Sequence, residues 1–304
     1  MYSLIDQENA KKMKKQFLVL AWCLVQCAMG MAQGWGAQSK VVTDSMYSET
    51  LKAWRAYNVF IPRSFEQDKD RQYPVLYLLH GMWGTNKDWD GRGHVKDVMD
   101  QLVASGEACE MIIVMPNAGG VVGKEWNGYF NMKGWAYEDF FFNELLPKVE
   151  KQYRVIGDKQ HRAVAGLSMG GGGSTSYAER HSDMFGACYA MSALMELPQY
   201  TPEQERNTDL ESMEGQLYVS VRNLGCTKFL REANDEVKKQ LRTVQWFVDC
   251  GDDDFLLDRN LEFYQAMREA RIPCQLRVRD GGHTWEYWHS ALYTCLPFVT
   301  RVFK

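Results

Sequence analysis

The sequence lacks the features that would indicate nucleic-acid or metal binding. Its formal net charge is −4, and no block of lysine and arginine follows the N-terminal region, so it has no basic surface for DNA or RNA. The cysteines form no C-x-x-C pair, and no histidine stands at zinc-ligand spacing. We therefore predict no nucleic-acid partner, no metal and no other cofactor.

A long hydrophobic run is also lacking. The N-terminal apolar stretch, residues 17–28, is shorter than the roughly 20 residues that a transmembrane helix needs. Four lysines precede it and Gly30-Met31-Ala32 follows, which is typical of a secretory signal peptide cleaved after Ala32. We predict that residues 1–32 are removed, leaving an exported, periplasmic or extracellular protein without a stable membrane span. A membrane anchor or a buried helix is the alternative.

Cysteine is scattered rather than clustered. Beyond the predicted signal peptide the cysteines are Cys109, Cys188, Cys226, Cys250, Cys274 and Cys295. An exported protein can form disulfides, but six cysteines allow fifteen complete pairings, so no pairing is predicted. Several of these cysteines lie in apolar, strand-like segments, which favours buried free thiols.

No repeat, low-complexity tract or interdomain linker follows the predicted signal peptide. We expect a polar lead-in over residues 33–50 and one catalytic domain over 51–304. Residues 53–62 alternate and are typical of an early strand. Short apolar runs, typical of buried strands, then alternate with segments of helical length; the runs lie at residues 75–79, 111–115, 162–167, 187–191, 245–248 and 275–278. This alternation predicts an α/β fold with a mostly parallel central sheet and helices on both faces. Residues 194–226 interrupt the alternation and form either a cap over the site or a surface insertion.

A nucleophile motif follows one of these strands. Gly166-Leu167-Ser168-Met169-Gly170 matches G-x-S-x-G at a strand-to-helix junction. This sharp turn exposes the serine oxygen, and the flanking glycines remove side chains that would clash. Ser168 is the predicted nucleophile of an α/β-hydrolase. A glycine-rich turn with an incidental serine is the alternative.

A serine nucleophile needs a general base and an acid that orients it. In this fold the chain order is serine, acid, histidine, which favours His283 over His80, because His80 precedes the serine. The acid is expected after the strand at 245–248, where Asp254 is favoured over Asp253 and Asp252. The oxyanion requires backbone N–H groups, and these are predicted at Met169 and Met82.

These motifs resemble the esterase family of α/β-hydrolases that contains feruloyl and acetyl-xylan esterases, esterase D-like enzymes and bacterial mycolyltransferases. The resemblance covers roughly residues 50–300, and its matching stretches are 73–81, 166–171, 251–254 and 281–285. It implies that Asp254 is the acid, that the residue after His80-Gly81 supplies an oxyanion N–H, and that the reaction is ester hydrolysis.

Aromatic residues follow the strands ending at His80 and Met115. Trp83, Trp126 and Trp135 are predicted substrate contacts that could stack on a sugar or a feruloyl ring, although packing of the core and rim is an equal alternative. We predict a secreted serine esterase, with a small-molecule or carbohydrate ester as its partner. An acyltransferase with the same triad and a non-catalytic carbohydrate-binding protein on this scaffold are the alternatives.

Overall fold

The computed structural model describes residues 38–119, 128–197 and 207–303. The predicted signal peptide, Trp126 and part of the 194–226 segment lie outside the described residues. The chain forms a compact unit that begins at Ser39. Among the described residues, no helix is both long and apolar enough to cross a membrane.

The strands form an eight-stranded sheet in the order β1-β2-β4-β3-β7-β8-β9-β10 and a small hairpin of β5 and β6. Their bounds are β1 (Lys40–Ser48), β2 (Ala53–Ile61), β3 (Val75–Leu79), β4 (Ile112–Pro116), β5 (Asn131–Met132), β6 (Trp135–Ala136), β7 (Arg162–Leu167), β8 (Ala187–Met191), β9 (Gln245–Gly251) and β10 (Cys274–Arg279). β1, β2 and β4 are joined by antiparallel pairs, and the remaining neighbours in the large sheet are parallel.

The helices are α1 (Asp88–Gly91), α2 (Val95–Ser105), α3 (Tyr137–Phe140), α4 (Leu146–Gln152), α5 (Met169–Arg180), α6 (Met213–Leu224), α7 (Cys226–Glu232), α8 (Asp235–Leu241), α9 (Leu257–Glu269) and α10 (Trp285–Val302). A π-helical segment, Phe141–Leu145, joins α3 to α4, so residues 137–152 are helical without a break but not uniformly α-helical. Short 3-10 turns occupy Arg63–Phe65 and Lys159–His161.

Two hydrophobic cores cover the two faces of the sheet. In β3, Val75, Tyr77 and Leu79 pack in one core, and Leu76 and Leu78 pack in the other, because successive strand residues point to opposite faces. A strand buried on both faces has no polar side, which is why it appears in the sequence as a continuous apolar run. The predicted α/β architecture with a mostly parallel sheet is confirmed.

The N-terminal boundary of the domain differs from the expectation. Residues 33–50 were expected to form a polar lead-in, but Lys40–Ser48 form β1 and pair along their whole length with β2. β1 is the edge strand of the sheet and alternates between exposed and partly buried residues. An edge strand with one solvated side carries polar residues, so its sequence lacks the continuous apolar run of the central strands.

Among the described residues, Cys188, Cys226, Cys250, Cys274 and Cys295 are free thiols, as the sequence favours, and all of these except Cys274 are buried. Burial raises the pKa of the Cys188 thiol. These side chains therefore behave as small apolar residues of the core.

Candidate active site

The candidate nucleophile lies in a sharp turn between β7 and α5. Ser168 has φ 54° and ψ −119°, a backbone conformation that is rare for a residue with a side chain. The turn is tied to β8, because Ser168 N–H donates to the Met191 carbonyl at 2.9 Å and the Ser168 carbonyl accepts from Leu194 N–H at 2.9 Å. The main chain of the neighbouring strand therefore holds the strained turn in place.

Glycine is required on both sides of this turn by close backbone contacts. A Cβ on Gly166 would lie 2.4 Å from the Gly170 carbonyl oxygen. A Cβ on Gly170 would lie 2.4 Å from the His80 carbonyl oxygen. The G-x-S-x-G spacing is thus explained by the approach of the helix start to the end of β3.

Three side chains from three different loops form one hydrogen-bonded chain. His283 Nε2 lies 2.9 Å from Ser168 Oγ. His283 Nδ1 lies 2.9 Å from Oδ2 and 3.0 Å from Oδ1 of Asp254. These loops follow β7, β9 and β10 at the carboxyl ends of parallel strands, where α/β sheets collect their functional groups. The arrangement can move the hydroxyl proton of Ser168 to an imidazole that a carboxylate orients.

Asp254 is the carboxylate of the Asp252–Asp254 run that contacts the imidazole. Asp254 is buried, whereas Asp252 and Asp253 are exposed. Burial alone raises the pKa of Asp254, but hydrogen bonds from His283, from Leu256 N–H and from Ser192 outweigh it, so the net pKa is lowered. The carboxylate is therefore ionised at neutral pH and can stabilise an imidazolium.

Ser192 is a contact of the acid for which no role was predicted. It follows the end of β8, its hydroxyl oxygen accepts from Trp288 Nε1 at 3.0 Å, and its side chain helps to lower the pKa of Asp254. The signal that could have found it is the one used for the triad, a polar residue at the carboxyl end of a buried strand.

His80 has a structural position beneath the loop that carries Met82. It is buried, its Nδ1 lies 2.7 Å from the Gly81 carbonyl oxygen, and its Nε2 accepts from Ala118 N–H at 3.0 Å. The first contact assigns the proton to Nδ1 and the second leaves Nε2 as the acceptor. Burial lowers the pKa of His80 to about 4, so the ring is neutral.

The loop that contains Met82 lies against the nucleophile turn. A Cβ on Gly81 would lie 2.6 Å from Leu167 Cδ1 and 3.4 Å from Ser168 Cβ. Met169 is the first residue of α5, and the first N–H groups of a helix have no partner within it. The two predicted oxyanion donors, the Met82 and Met169 amides, thus belong to segments adjoining Ser168.

A pocket of about 900 Å³ opens over the serine. Its lining residues are Gly81, Met82, Trp83, Gly84, Asp88, Arg92, Leu167, Ser168, Leu194, Leu197, Tyr218, Phe255, Leu256, His283, Thr284, Trp285, Glu286 and Trp288. The described part of the 194–226 segment contributes Leu194, Leu197 and Tyr218 to this wall. Most of the wall is apolar, which suits an uncharged organic group.

Two of the predicted substrate-contacting tryptophans, Trp83 and Trp135, lie in different environments in the structure. Trp83 is 41% exposed and lines the pocket. Trp135 is buried in the core, where it stacks on Tyr137 and lies under the Arg55 guanidinium. The expectation for Trp135 is therefore corrected: its ring packs the core, as do those of the buried Tyr129 and Tyr137. Sequence cannot separate these cases, because aromatic residues serve both purposes.

Three exposed carboxylates lie close together near the acid loop, but their positions do not require a bound cation. Among the described residues, Asp252, Asp253 and Asp280 have carboxylate oxygens within 4.8 Å of one another, and all three are exposed. Gly281 N–H donates to Asp252 at 3.0 Å, which explains the position of that carboxylate without an ion. We assign no metal to this cluster.

The sheet topology, the strained serine turn and the Ser168–His283–Asp254 geometry define the class of serine hydrolases with an α/β-hydrolase fold. Residues 48–299 match the model of the esterase family described as "Putative esterase". The chain belongs to this family and is a serine carboxylic ester hydrolase.

Similar proteins include ferulic acid esterases. A solved structure of a ferulic acid esterase is 66% identical, with 88% of this chain and 100% of that chain covered and a TM-score of 0.85. An endo-1,4-beta-xylanase/feruloyl esterase of Xylanibacter ruminicola is 33% identical over 147 residues, which are 47% of this chain and only 20% of that protein's length. An acetyl esterase of Caldicellulosiruptor saccharolyticus is 23% identical, with 85% of this chain and 97% of that protein covered.

Proposed function

We propose that the protein is an exported feruloyl esterase that releases aromatic acids from plant cell-wall carbohydrate through an acyl-enzyme. The observation that carries the mechanism is the continuous hydrogen-bonded chain from Asp254 through His283 to Ser168. The 66% identity to a ferulic acid esterase supports the choice of acyl group.

In the proposed reaction Ser168 Oγ attacks the ester carbonyl carbon while its proton passes to His283 Nε2. The amides of Met82 and Met169 stabilise the oxyanion of the tetrahedral intermediate, and Asp254 stabilises the imidazolium. The intermediate then breaks its bond to the alcohol oxygen, which receives the proton from His283, and the acyl group remains on Ser168. Water attacks this acyl-enzyme, giving its proton to His283, and the carboxylic acid leaves as Ser168 regains the proton.

The pocket supports an aromatic acyl group over an acetyl group. An acetyl group would occupy a small part of its volume of about 900 Å³. The apolar side chains of Leu194, Leu197 and Leu256 and the ring of Tyr218 provide a surface against which a phenolic ring could bury apolar area. We propose in addition that Trp83, at the edge of this pocket, contacts the substrate.

Export rests on the N-terminal sequence. The lysines before residues 17–28 and the small residues Gly30 and Ala32 support cleavage after Ala32. Expression of the full chain in a bacterial host should yield an exported protein whose first residue is Gln33, as read by N-terminal sequencing. An uncleaved N-terminus on a membrane-bound product would favour the anchor instead.

The mechanism is tested with Ser168→Ala on methyl ferulate. We expect kcat/KM to fall by at least about 10³-fold, and labelling by a fluorophosphonate to be lost. Ser176→Ala is the matched control: its hydroxyl is buried in α5, the helix that follows Ser168, with no hydrogen-bond partner among the described residues, and its removal should leave activity unchanged. Undiminished activity in Ser168→Ala would exclude this serine as the nucleophile.

The substrate is tested with a panel of esters that differ in the acyl group. Ferulate release from feruloylated arabino-oligosaccharides should exceed acetate release from acetylated xylo-oligosaccharides in kcat/KM. A preference for acetate would exclude the feruloyl assignment. A new ester formed with an added alcohol, in place of free acid, would indicate an acyltransferase.

A further inference from the structure

The proposed chemistry determines on which side of the serine the alcohol part of the ester must lie. His283 Nε2, 2.9 Å from Ser168 Oγ, returns its proton to the leaving alcohol oxygen, so this oxygen must come within hydrogen-bond distance of Nε2. The group attached to the alcohol therefore passes beside the imidazole. Side chains flanking the imidazole on its open side contact the alcohol part of the ester.

Two aromatic rings flank this imidazole. Trp288 lies on the side of the imidazole that faces the protein interior. It is buried, its ring centroid is 4.9 Å from that of His283, and its Nε1 donates a hydrogen bond to Ser192. Phe255 lies on the open side, with its ring centroid 4.6 Å from that of His283, and it lines the pocket. Phe255 is thus an exposed ring beside the imidazole that protonates the leaving oxygen.

The exposure of Phe255 is large for an apolar side chain. The residue is 67% exposed, whereas Leu256, the next residue, is buried. The backbone on either side is held by hydrogen bonds, from Leu256 N–H to Asp254 Oδ1 at 2.9 Å and from Leu257 N–H to the Asp254 carbonyl at 2.9 Å. The acid that orients His283 therefore also holds the Phe255 ring out at the mouth of the pocket.

We propose that Phe255 is a specificity-determining residue that binds the sugar of the ester. Its exposed ring provides an apolar surface on which the C–H face of a pentose or hexose can pack. A methyl ester has no sugar to pack on this ring. The inference rests on the proposed function, because it requires a substrate whose alcohol is a sugar.

This position has a kinetic consequence that a merely structural role would not share. The sugar leaves when the acyl-enzyme forms, so Phe255 contacts the substrate only before and during acylation. Hydrolysis of the feruloyl-enzyme is the same step for every feruloyl ester, whichever alcohol has left. A change at Phe255 should therefore alter kcat/KM for sugar esters and leave the rate of deacylation unchanged.

The experiment compares Phe255→Ala with the unmodified protein on two substrates that share the feruloyl group, methyl ferulate and a feruloylated arabino-oligosaccharide. We expect kcat/KM to fall about tenfold on the oligosaccharide, as loss of a favourable ring contact implies. On methyl ferulate, which lacks the sugar, kcat/KM should fall by a clearly smaller factor, so that the preference for the sugar ester decreases. Single-turnover decay of the feruloyl-enzyme should be unchanged, and Phe255→Trp should restore the preference for the sugar ester.

Trp54→Ala is the matched control. Trp54 is 69% exposed and lies on β2, so its loss removes a similar exposed ring outside the pocket. Equal losses on both substrates, or slower deacylation in Phe255→Ala, would show that Phe255 acts on His283 alone and would overturn the inference. An unchanged kcat/KM on the oligosaccharide would also overturn it. If the unmodified protein releases ferulate from neither substrate, the proposed function itself fails, and the inference fails with it.

Discussion

The Tyr287 hydroxyl donates a hydrogen bond of 2.6 Å to Oδ1 of the buried Asp249 carboxylate. This contact joins α10, which begins two residues after His283, to β9, which leads to Asp254. Arg277 Nε at 3.1 Å and the Tyr189 hydroxyl at 2.6 Å donate to the same carboxylate. A buried carboxylate with several donors is a common anchor between neighbouring elements, and here it connects the segments that carry the acid and the base.

Tyr287→Phe should destabilise the protein by about 2 kcal/mol, since a hydrogen bond to a buried charged group is lost. Burial and the hydrogen bond to Asp249 raise the pKa of Tyr287 above its ordinary value of 10.0, so the stabilisation should be fully present below pH 10 and be lost as the pH rises above it. Urea denaturation measures the change. Tyr293→Phe is the control, because that tyrosine, also on α10, is exposed and its hydroxyl hydrogen-bonds the Gln101 side chain. An equal loss of stability in both variants would contradict the assignment of a stabilising contact between Tyr287 and Asp249.

His80 should make stability depend on pH in a defined window. Burial lowers its pKa from 6.5 to about 4, so between these values the unfolded chain binds more protons than the folded protein. The free energy of unfolding should therefore fall by about 3 kcal/mol as the pH decreases from 6.5 to 4.

His80→Gln should flatten this dependence, because a glutamine amide can still donate to the Gly81 carbonyl and accept from Ala118 without titrating. Asp254 acts in a separate window: its pKa is lowered from 3.8, so its stabilisation is present above 3.8 and is lost only as the pH falls through its lower folded value. Denaturation curves at several pH values measure both. If the free energy of unfolding of His80→Gln still falls as steeply with decreasing pH, His80 is not the source of the pH dependence.

Gly170→Ala should disrupt the nucleophile turn. The added Cβ would lie 2.4 Å from the His80 carbonyl oxygen and 2.5 Å from that of Leu79, so the backbone must move. We expect a loss of more than about 2 kcal/mol in stability and a large drop in kcat. Gly91→Ala is the control: outside its own helix, no atom of the described residues lies within 4 Å of the added Cβ, and the change should alter stability by less than about 1 kcal/mol. Thermal melts and ester hydrolysis test both variants.

Much of the fold could be predicted from the sequence because its central strands are buried on both faces. Such strands are apolar at every position, as in Val75–Leu79, so they stand out without knowledge of their neighbours. β1 could not be found in this way, because one side of an edge strand is solvated. The candidate nucleophile was predictable for a local reason: Gly166 and Gly170 are needed within the same short turn as Ser168.

The remaining parts of the site depend on contacts between distant segments. Sequence order favoured Asp254 as the acid without excluding Asp252 and Asp253, and the resemblance also pointed to Asp254. In the structure the β9 and β10 loops bring Asp254 to His283, 29 residues further along the chain. Burial separates Trp135, packed in the core, from Trp83 at the pocket. The sequence by itself determined the positions of the central strands and the Ser168 turn, because both are set by local patterns. The tertiary structure decided which side chains meet and which face solvent, because burial is a property of the packed chain.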